Sequence, residues 1–220
     1  MACNIQNRRT ATAVALLAAA CLTSTGCRSL LATAVWMWNG GNVVPAEFEG
    51  LEGERVVVLC RPPASYEFTN AGAARAIGSR VSAKLTEMVK DIDVVSPREV
   101  DNWIDEQDAE NWKDLGHSVK ATRVVYIELD DFNLYLDKTL YQGSADVSLT
   151  VFDLTDRDKE VFSRRLGQIL FPRNSGIPSG DKPPQEFERQ FVEIVAEQVS
   201  EYFYKHDPNA NYAIDAMANN

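Results

Sequence analysis

The stretch Thr122–Phe171 constrains the fold more than any other part of the sequence, because it predicts three long strands in succession. Two turn-rich breaks, Leu136–Gly143 and Thr155–Lys159, divide it. Along the middle strand, apolar side chains alternate with polar ones: Ala145, Val147, Leu149 and Val151 against Asp146, Ser148 and Thr150. A period of two is typical of a strand with one buried face and one solvated face. We therefore expect an antiparallel three-stranded meander, one face of which packs on the core while the other faces solvent.

The first strand of the meander changes parity at Asp130-Asp131. Its apolar residues fall into two sets, Val125, Ile127 and Leu129 before the change and Phe132, Leu134 and Leu136 after it. A β-bulge at the two aspartates would return all six side chains to one face of the sheet. The alternative is that the strand ends at Asp130 and a new strand begins.

The sequence on either side of the meander predicts helices and strands that cover it. These elements are a buried strand at Arg55–Cys60, a helix at Ala71–Lys90 with the stripe Ala74, Ile77, Val81, Leu85 and Met88, a strand at Ile92–Val95, helices from Pro97 and over about Asp108–Lys120, and a last helix at Gln185–His206. This order predicts an α/β two-layer sandwich. The mixed sheet would have about five strands, with the helices mainly on one face.

The N-terminal residues 1–26 have the parts of an export signal. Asn7–Arg9 is basic, Ala11–Leu22 is apolar but short for a membrane span, and small residues then lead to Cys27. The Gly-Cys pair at this point resembles the lipobox of bacterial lipoproteins, in which the signal peptide is cut before a cysteine that carries a diacylglycerol. We predict lipidation of Cys27, with Cys21 as a rival site.

Residues 27–53 connect the predicted anchor to the predicted domain. The apolar run Leu30–Trp38 ends in two tryptophans. It is either a segment packed on the domain or an interfacial segment at the lipid headgroups, where tryptophan is favoured. Val43–Arg55 is rich in Gly and Glu and is interpreted as a linker. The sequence thus predicts one domain over residues 54–207 and a disordered tail over 208–220.

Charge and composition exclude several classes of function. The formal net charge is −10, which disfavours nucleic acid as a partner. Only two histidines and no CxxC pair are present, so we expect neither a metal site nor a cofactor. The acidic residues Asp153, Asp156, Asp158 and Glu160 are spaced like the start of a calcium loop. However, Val161 stands where that loop needs Gly and Gly167 where it needs Glu, so we interpret this stretch as a hairpin turn.

Few residues are candidates for catalysis. Asp130, Asp131 and Asp137 cluster near the possible bulge and could serve a hydrolase, but neighbouring residues of a strand point to opposite faces. Cys60 ends an apolar strand and is interpreted as a core residue. We expect a protein that is not an enzyme.

Four segments resemble a known group of domains: VVVLC, DIDVVSP, LGHSVKATRVVYIELDDF and GSADVSLTVFDLTDRDKEVFSRR. The group comprises bacterial envelope lipoprotein domains, namely those of the curli-secretion lipoprotein, the lipoprotein activators of peptidoglycan synthases and the amino-terminal domain of the Tol-system propeller protein. The resemblance spans Val56–Gly167, with Asp153 where the group's aspartate precedes its turn. The turn Thr155–Lys159 lacks the group's Gly, and Thr122 replaces its Asp.

The resemblance implies no catalytic residue and a role in protein–protein contact. We therefore expect a domain that is lipid-anchored in the bacterial cell envelope, at the outer membrane and facing the periplasm. It would bind an envelope protein partner. The alternatives are a hydrolase that uses the acidic cluster and a structural membrane subunit that self-associates through the edge of the meander.

Overall fold

The computed structural model describes residues 43–62, 67–106 and 112–208, without the side chains of residues 67–69. The predicted signal peptide, Cys21, Cys27, the apolar run Leu30–Trp38 and most of the predicted tail lie outside these ranges. The helices and strands, in chain order, are β1 (Arg55–Arg61), α1 (Glu67–Met88), β2 (Asp93–Val94), α2 (Pro97–Glu106), α3 (Trp112–Ser118), β3 (Arg123–Tyr135), β4 (Leu140–Asp153), β5 (Lys159–Phe171), β6 (Ile177–Pro178), α4 (Pro184–Ser200) and the 3-10 helix Glu201–Phe203.

The strands form one mixed sheet in the order β2-β1-β3-β4-β5, and the short β6 pairs with the start of β4. β1 is parallel to both of its neighbours, whereas β3, β4 and β5 are antiparallel. The parallel connections need crossovers, which the helices supply, and the antiparallel ones need only turns. The predicted α/β fold with a meander is confirmed.

Helices lie on both faces of the sheet, with the two long ones on one face. α1 and α4 cover the main core, which contains the inward-facing residues of β1, β3, β4 and β5. The shorter α2 and α3 cover a second, smaller core with Val57, Leu59 and Val124. β1 is therefore buried on both faces, as its continuous apolar sequence predicts.

The predicted bulge in β3 is present at Asp130. Leu129 pairs with Val147 and Asp131 with Asp146, so Asp130 is the extra residue of the first strand. Phe132 and Leu134 consequently pack against the main core together with the residues before the bulge. Leu136 does not follow them: the strand ends at Tyr135, and the Leu136 side chain is 56% exposed. The prediction for Leu136 was wrong.

Three predicted element boundaries shift in the structure. α1 begins at Glu67 and ends at Met88, so Met88 is exposed and Val89 enters the core in its place. The break Leu136–Gly143 is shorter than predicted, since β4 begins at Leu140. The last helix gives way to the 3-10 helix after Ser200 rather than continuing to His206.

The segment Val44–Phe48, here called the strap, packs along the 3-10 helix that follows α4 and the residues after it. Val44 and His206 exchange two backbone hydrogen bonds of 2.9 and 3.1 Å, and the amides of Glu47 and Phe48 donate to the Tyr202 carbonyl. A little further on, Leu51 is buried in the main core. The compact unit thus begins at Val44, whereas the sequence placed its start near Glu54. Pairing between residues so far apart in the chain has no local sequence signal.

Gly143 allows α4 to approach the sheet closely. A Cβ built at this position would lie 2.5 Å from the Phe191 ring, so only glycine leaves room for that side chain. The sequence interpreted Gly143 as part of a turn, but its role is packing within β4.

Candidate functional site

The meander presents one side, here called the outer face, away from the main core. The register joins its residues into four rows across β3, β4 and β5: Tyr126, Thr150 and Ser163; Glu128, Ser148 and Arg165; Asp131, Asp146 and Gln168; Asn133, Ser144 and Leu170. Directly paired residues of neighbouring strands point to the same side of a sheet. The outer face is therefore a regular and mostly polar array, with short polar side chains along β4 and longer ones, among them Tyr126, Arg165 and Leu170, on β3 and β5.

The second core ends where the outer face begins. Trp112 of α3 stacks on Phe152 with ring centroids 3.7 Å apart, and Tyr126 lies 6.5 Å from the same ring. The pKa of Tyr126 is raised, mainly because its ring is half buried and then because Glu128 is close. Beyond this aromatic border, the outward-facing residues of β4 are partly exposed.

The charges on the outer face are unevenly distributed. Carboxylates concentrate on the β3 side at Glu128, Asp130 and Asp131, whereas β5 contributes Arg165. Asp146 on β4 lies directly opposite Asp131, a like-charge pair that costs stability. One oxygen of Asp146, Oδ1, is shielded from solvent and accepts no hydrogen bond. Such a group is rare in folded proteins, where buried polar atoms are usually paired.

The structure does not bring the three proposed catalytic aspartates to one site. The Asp137 carboxylate closes the β3–β4 turn, where it accepts hydrogen bonds from the amide and hydroxyl of Thr139 at 2.7 and 2.8 Å and from the Leu140 amide. These bonds lower its pKa, the Thr139 amide most. Asp130 and Asp131 are exposed on the sheet, and Asp130 accepts a hydrogen bond from the Ser148 hydroxyl at 3.3 Å. The arrangement offers no acid–base pair around a shared substrate.

The acidic stretch after β4 is a hairpin turn, as the sequence predicts. Asp153 accepts hydrogen bonds from the Thr155 amide at 2.8 Å, the Thr155 hydroxyl at 2.6 Å and the Asp156 amide at 3.3 Å. It also forms an ion pair of 2.7 Å with Arg123. The Thr155 hydroxyl is the main reason why the pKa of this carboxyl is lowered. Within residues 43–62, 67–106 and 112–208, no group of His, Cys, Asp and Glu is placed to hold a metal ion.

Cys60 lies in the core, as the sequence predicts. Its side chain is buried, and burial raises the pKa of the thiol. Because the thiolate is the reactive form of cysteine, this thiol is poorly suited to act as a nucleophile.

A second candidate surface is a groove between β5 and the end of α4, here called the β5 groove. Its first cavity, of about 330 Å³, is lined by Val44, Glu47, Leu166, Arg173, Gln198, Glu201, Tyr202, His206 and Pro208. Its second cavity, of about 350 Å³, is lined by Gln168, Ile169, Leu170, Arg173 and Gln198. The two cavities are neighbours because they share Arg173 and Gln198, and together they are called the β5 groove. Sequence reasoning missed it because its walls come from three separate parts of the chain.

Neither a protein-family model nor a curated protein matches the sequence. Among solved structures, the chain is similar to a PelC dodecamer from Paraburkholderia phytofirmans, with a TM-score of 0.43 and 15% identity over 74% of this chain and 99% of that chain. For lipoprotein GNA1162 from Neisseria meningitidis the TM-score is 0.40, with 14% identity over 67% and 98%. For protein XCC0632 from Xanthomonas campestris it is 0.40, with 10% identity over 79% and 91%.

These similar structures include a bacterial protein that is named as a lipoprotein, the class that the sequence predicts. At such scores and identities they say nothing about the activity, partners or location of this chain. The specific resemblance to the curli-secretion and Tol group stays a prediction. None of the helices in the described part of the chain is long and apolar enough to cross a membrane.

Proposed function

We propose that this protein is a lipid-anchored, non-enzymatic domain of the bacterial envelope that binds a protein partner through the outer face of its meander. The single observation that carries the proposal is the set of four mostly polar rows across β3, β4 and β5, which borders the second core at Tyr126 and extends away from it. A β-sheet holds such side chains at fixed spacing, so little order has to be created when a partner binds.

The composition of the outer face suits recognition of a protein. Ser144, Ser148 and Thr150 lie along β4 and offer hydroxyl groups that donate and accept hydrogen bonds. The carboxylates of Asp131 and Asp146 lie beside them and favour a basic group on the partner. Complementary charge of this kind orients a partner and speeds its approach more than it raises affinity.

The proposed anchor is a lipid on Cys27, which would hold the domain at the outer membrane on its periplasmic side. Each buried methylene of an acyl chain contributes about 0.8 kcal/mol, so two or three chains give stable attachment. The support for this part of the proposal is the sequence of the leader, which lies outside the described residues.

The anchor is tested by labelling with radioactive palmitate in a bacterial host. Cys27→Ala is expected to abolish the label and to release the protein from membranes, whereas Cys21→Ala leaves both unchanged. Labelling that persists in the Cys27→Ala variant would overturn the assignment of Cys27.

The binding face is tested by site-specific photocrosslinking in whole envelopes. A photoreactive residue at Ser148 on the outer face is expected to trap a defined protein. The matched control is Arg80, an exposed residue of α1 on the opposite layer. The proposal fails if crosslinks form from Arg80 and not from Ser148, or if both positions give the same pattern.

The two alternative functions have weaker support in the structure. The three aspartates proposed for a hydrolase do not converge on one site. For self-association through the meander edge, the free stretch of β3 beyond β1 begins with a bulge and with the charged pair Asp130-Asp131. Bulges and charges at a sheet edge disfavour edge-to-edge pairing.

A further inference from the structure

β5 is the last strand of the sheet and its backbone has one free side. In the described residues no strand pairs with that side. Two extra residues interrupt the pairing of β5 with β4, Val161 near its start and Leu166 next to Gly167, which has a φ of +72°. From Gln168 to Phe171 the pairing is regular. The stretch Phe162–Arg165 between the two extra residues is also regular, and these two stretches present undistorted rows of backbone N–H and C=O groups.

The β5 groove runs beside the regular stretch from Gln168 to Phe171. Gln168, Ile169 and Leu170 line its second cavity, and Leu166 lines its first. Gln198 of α4 forms part of both. A free strand edge and a groove of about 330 and 350 Å³ thus lie along the same residues.

A segment of the chain itself, the strap, already lies at one end of this groove and beside the first half of β5. In the strap, Phe48 contacts Phe162 of β5 with ring centroids 5.3 Å apart, and Glu47 forms an ion pair with Arg164. The strap is held by backbone hydrogen bonds to Tyr202 and His206. It therefore covers the first half of β5, and its residues Val44 and Glu47 form the wall at which the groove begins.

We propose that the β5 groove binds an extended peptide segment of a partner protein, which adds as a short strand to Gln168–Phe171. Alternating backbone donors and acceptors at a strand edge are complementary to another extended backbone, and pockets beside the edge take every second side chain. Leu166 and Tyr202 give the groove an apolar wall for one such side chain. The side-chain amide of Gln198 is available for a hydrogen bond to the next peptide side chain that enters the groove.

The bulge at Leu166 limits what can bind. A second copy of this chain would bring its own bulged β5, and two irregular edges do not form a long ladder. A short peptide needs only the regular stretch after Gly167. The groove borders the outer face at Gln168 and Leu170, but its other walls come from α4 and the strap, and it would bind a partner through the backbone of β5. The inference therefore goes beyond the proposed function and adds a second contact for a protein partner.

The test uses the full-length protein in detergent and a library of random heptapeptides displayed on phage. Enriched sequences are made as synthetic peptides, and their affinity is measured by fluorescence anisotropy. Gln198→Trp fills the groove and is expected to weaken binding about tenfold or more, a loss of about 1.4 kcal/mol per factor of ten. The control Arg189→Trp changes an exposed residue of the same helix and leaves affinity unchanged.

The backbone chemistry is tested with the same peptides. Methylation of single peptide nitrogens is expected to abolish binding at alternate positions, because every second N–H of an added strand faces the edge.

The proposal is overturned if no sequence is enriched, if Gln198→Trp binds as well as the unchanged protein, or if the loss on methylation has no period of two. It is also overturned if Gln198→Trp dissolves a self-associated form in light scattering, since the occupant would then be a second copy. Crosslinking from Ser148 is unaffected by Gln198→Trp, which separates this test from that of the outer face.

Discussion

The two faces of β4 come from one strand but have opposite properties. Ala145, Val147, Leu149 and Val151 have no solvent exposure and pack in the main core, whereas the residues between them are partly exposed and polar. The backbone geometry of both sets is the same, and they differ only in what lies above them. On the inner side α1 and α4 set the size and shape of each side chain. On the outer side no such constraint acts, so side chains there are free to serve recognition.

Asp146 illustrates the difference most clearly. An unpaired carboxylate oxygen on the inner face would cost several kcal/mol, since an ion is very unfavourable in an apolar core. On the outer face Asp146 lies opposite another aspartate and keeps one oxygen without a hydrogen bond. The comparison leads to a general expectation: substitutions on the inner face change stability, and substitutions on the outer face change binding.

The largest effect is expected for Leu149→Ala on the inner face. Leu149 is fully buried, so truncation leaves a cavity and lowers the free energy of unfolding by roughly 2–5 kcal/mol. Urea unfolding followed by circular dichroism measures the loss. The neighbouring control Thr150→Ala, on the outer face, is expected to change stability by no more than about 0.5 kcal/mol. Equal losses in the two variants would contradict the distinction between the faces.

Insertion of one alanine after Asp130 is expected to have the next largest effect, because a second extra residue exchanges the two faces beyond the bulge. Phe132 and Leu134 would turn to the outer face, and Phe132 would lose its contact with Phe191, whose ring centroid is 5.3 Å away. We expect a loss of roughly 2–3 kcal/mol from the exposed apolar surface. Deletion of Asp130 removes the extra residue but leaves Leu129 and Phe132 paired on the inner face, so it is expected to destabilise the protein much less. An insertion variant that unfolds at the same urea concentration as the deletion variant would mean that side-chain alternation does not fix the register of β3.

Asp153→Ala is expected to cost roughly 1–2 kcal/mol, because the turn loses three hydrogen bonds to a charged acceptor.

The stability that the Asp153 carboxylate contributes is lost at low pH. Its pKa is lowered from 3.8 in the folded protein, so the contribution is complete above pH 3.8 and is lost as the pH falls through the lowered pKa. Asp153→Asn should therefore flatten the dependence of stability on pH below about pH 4. The exposed turn residue Asp137 serves as a control, with a smaller loss on substitution by alanine. An Asp153→Asn variant with the same acid sensitivity as the unchanged protein would refute this role.

The smallest effect is expected for Asp146→Ser on the outer face. The substitution removes the repulsion with Asp131, so stability is expected to stay constant or to rise by less than about 1 kcal/mol. In the same variant, the yield of the crosslink between the photoreactive residue at position 148 and the partner is expected to fall. A loss of stability with an unchanged crosslinking yield would show that Asp146 is a structural residue. The distinction between the inner and outer faces of β4 would then fail.

Much of the meander could be predicted from the sequence because its signals are local. The alternation along β4 and the parity change at Asp130-Asp131 are visible within a few residues. Both hairpin turns have an aspartate followed two residues later by a threonine, namely Asp137 with Thr139 and Asp153 with Thr155. The ends of elements were less predictable. Met88 and Leu136 continue the apolar pattern but lie where the helix or the strand stops, and the stopping point depends on tertiary packing.

Of the two candidate sites, the outer face depends partly on a local sequence pattern, whereas the β5 groove depends on tertiary contacts. The sequence by itself determined which side of the meander is polar, because the side-chain period of a strand is fixed by backbone geometry. Only the tertiary structure decided that this side lies beyond the cover of α2 and α3, that the strap packs on the last helix, and that β5 stands at the edge beside a groove. These features depend on pairing and packing between residues far apart in the chain, and such contacts arise from the complete fold rather than from any local pattern.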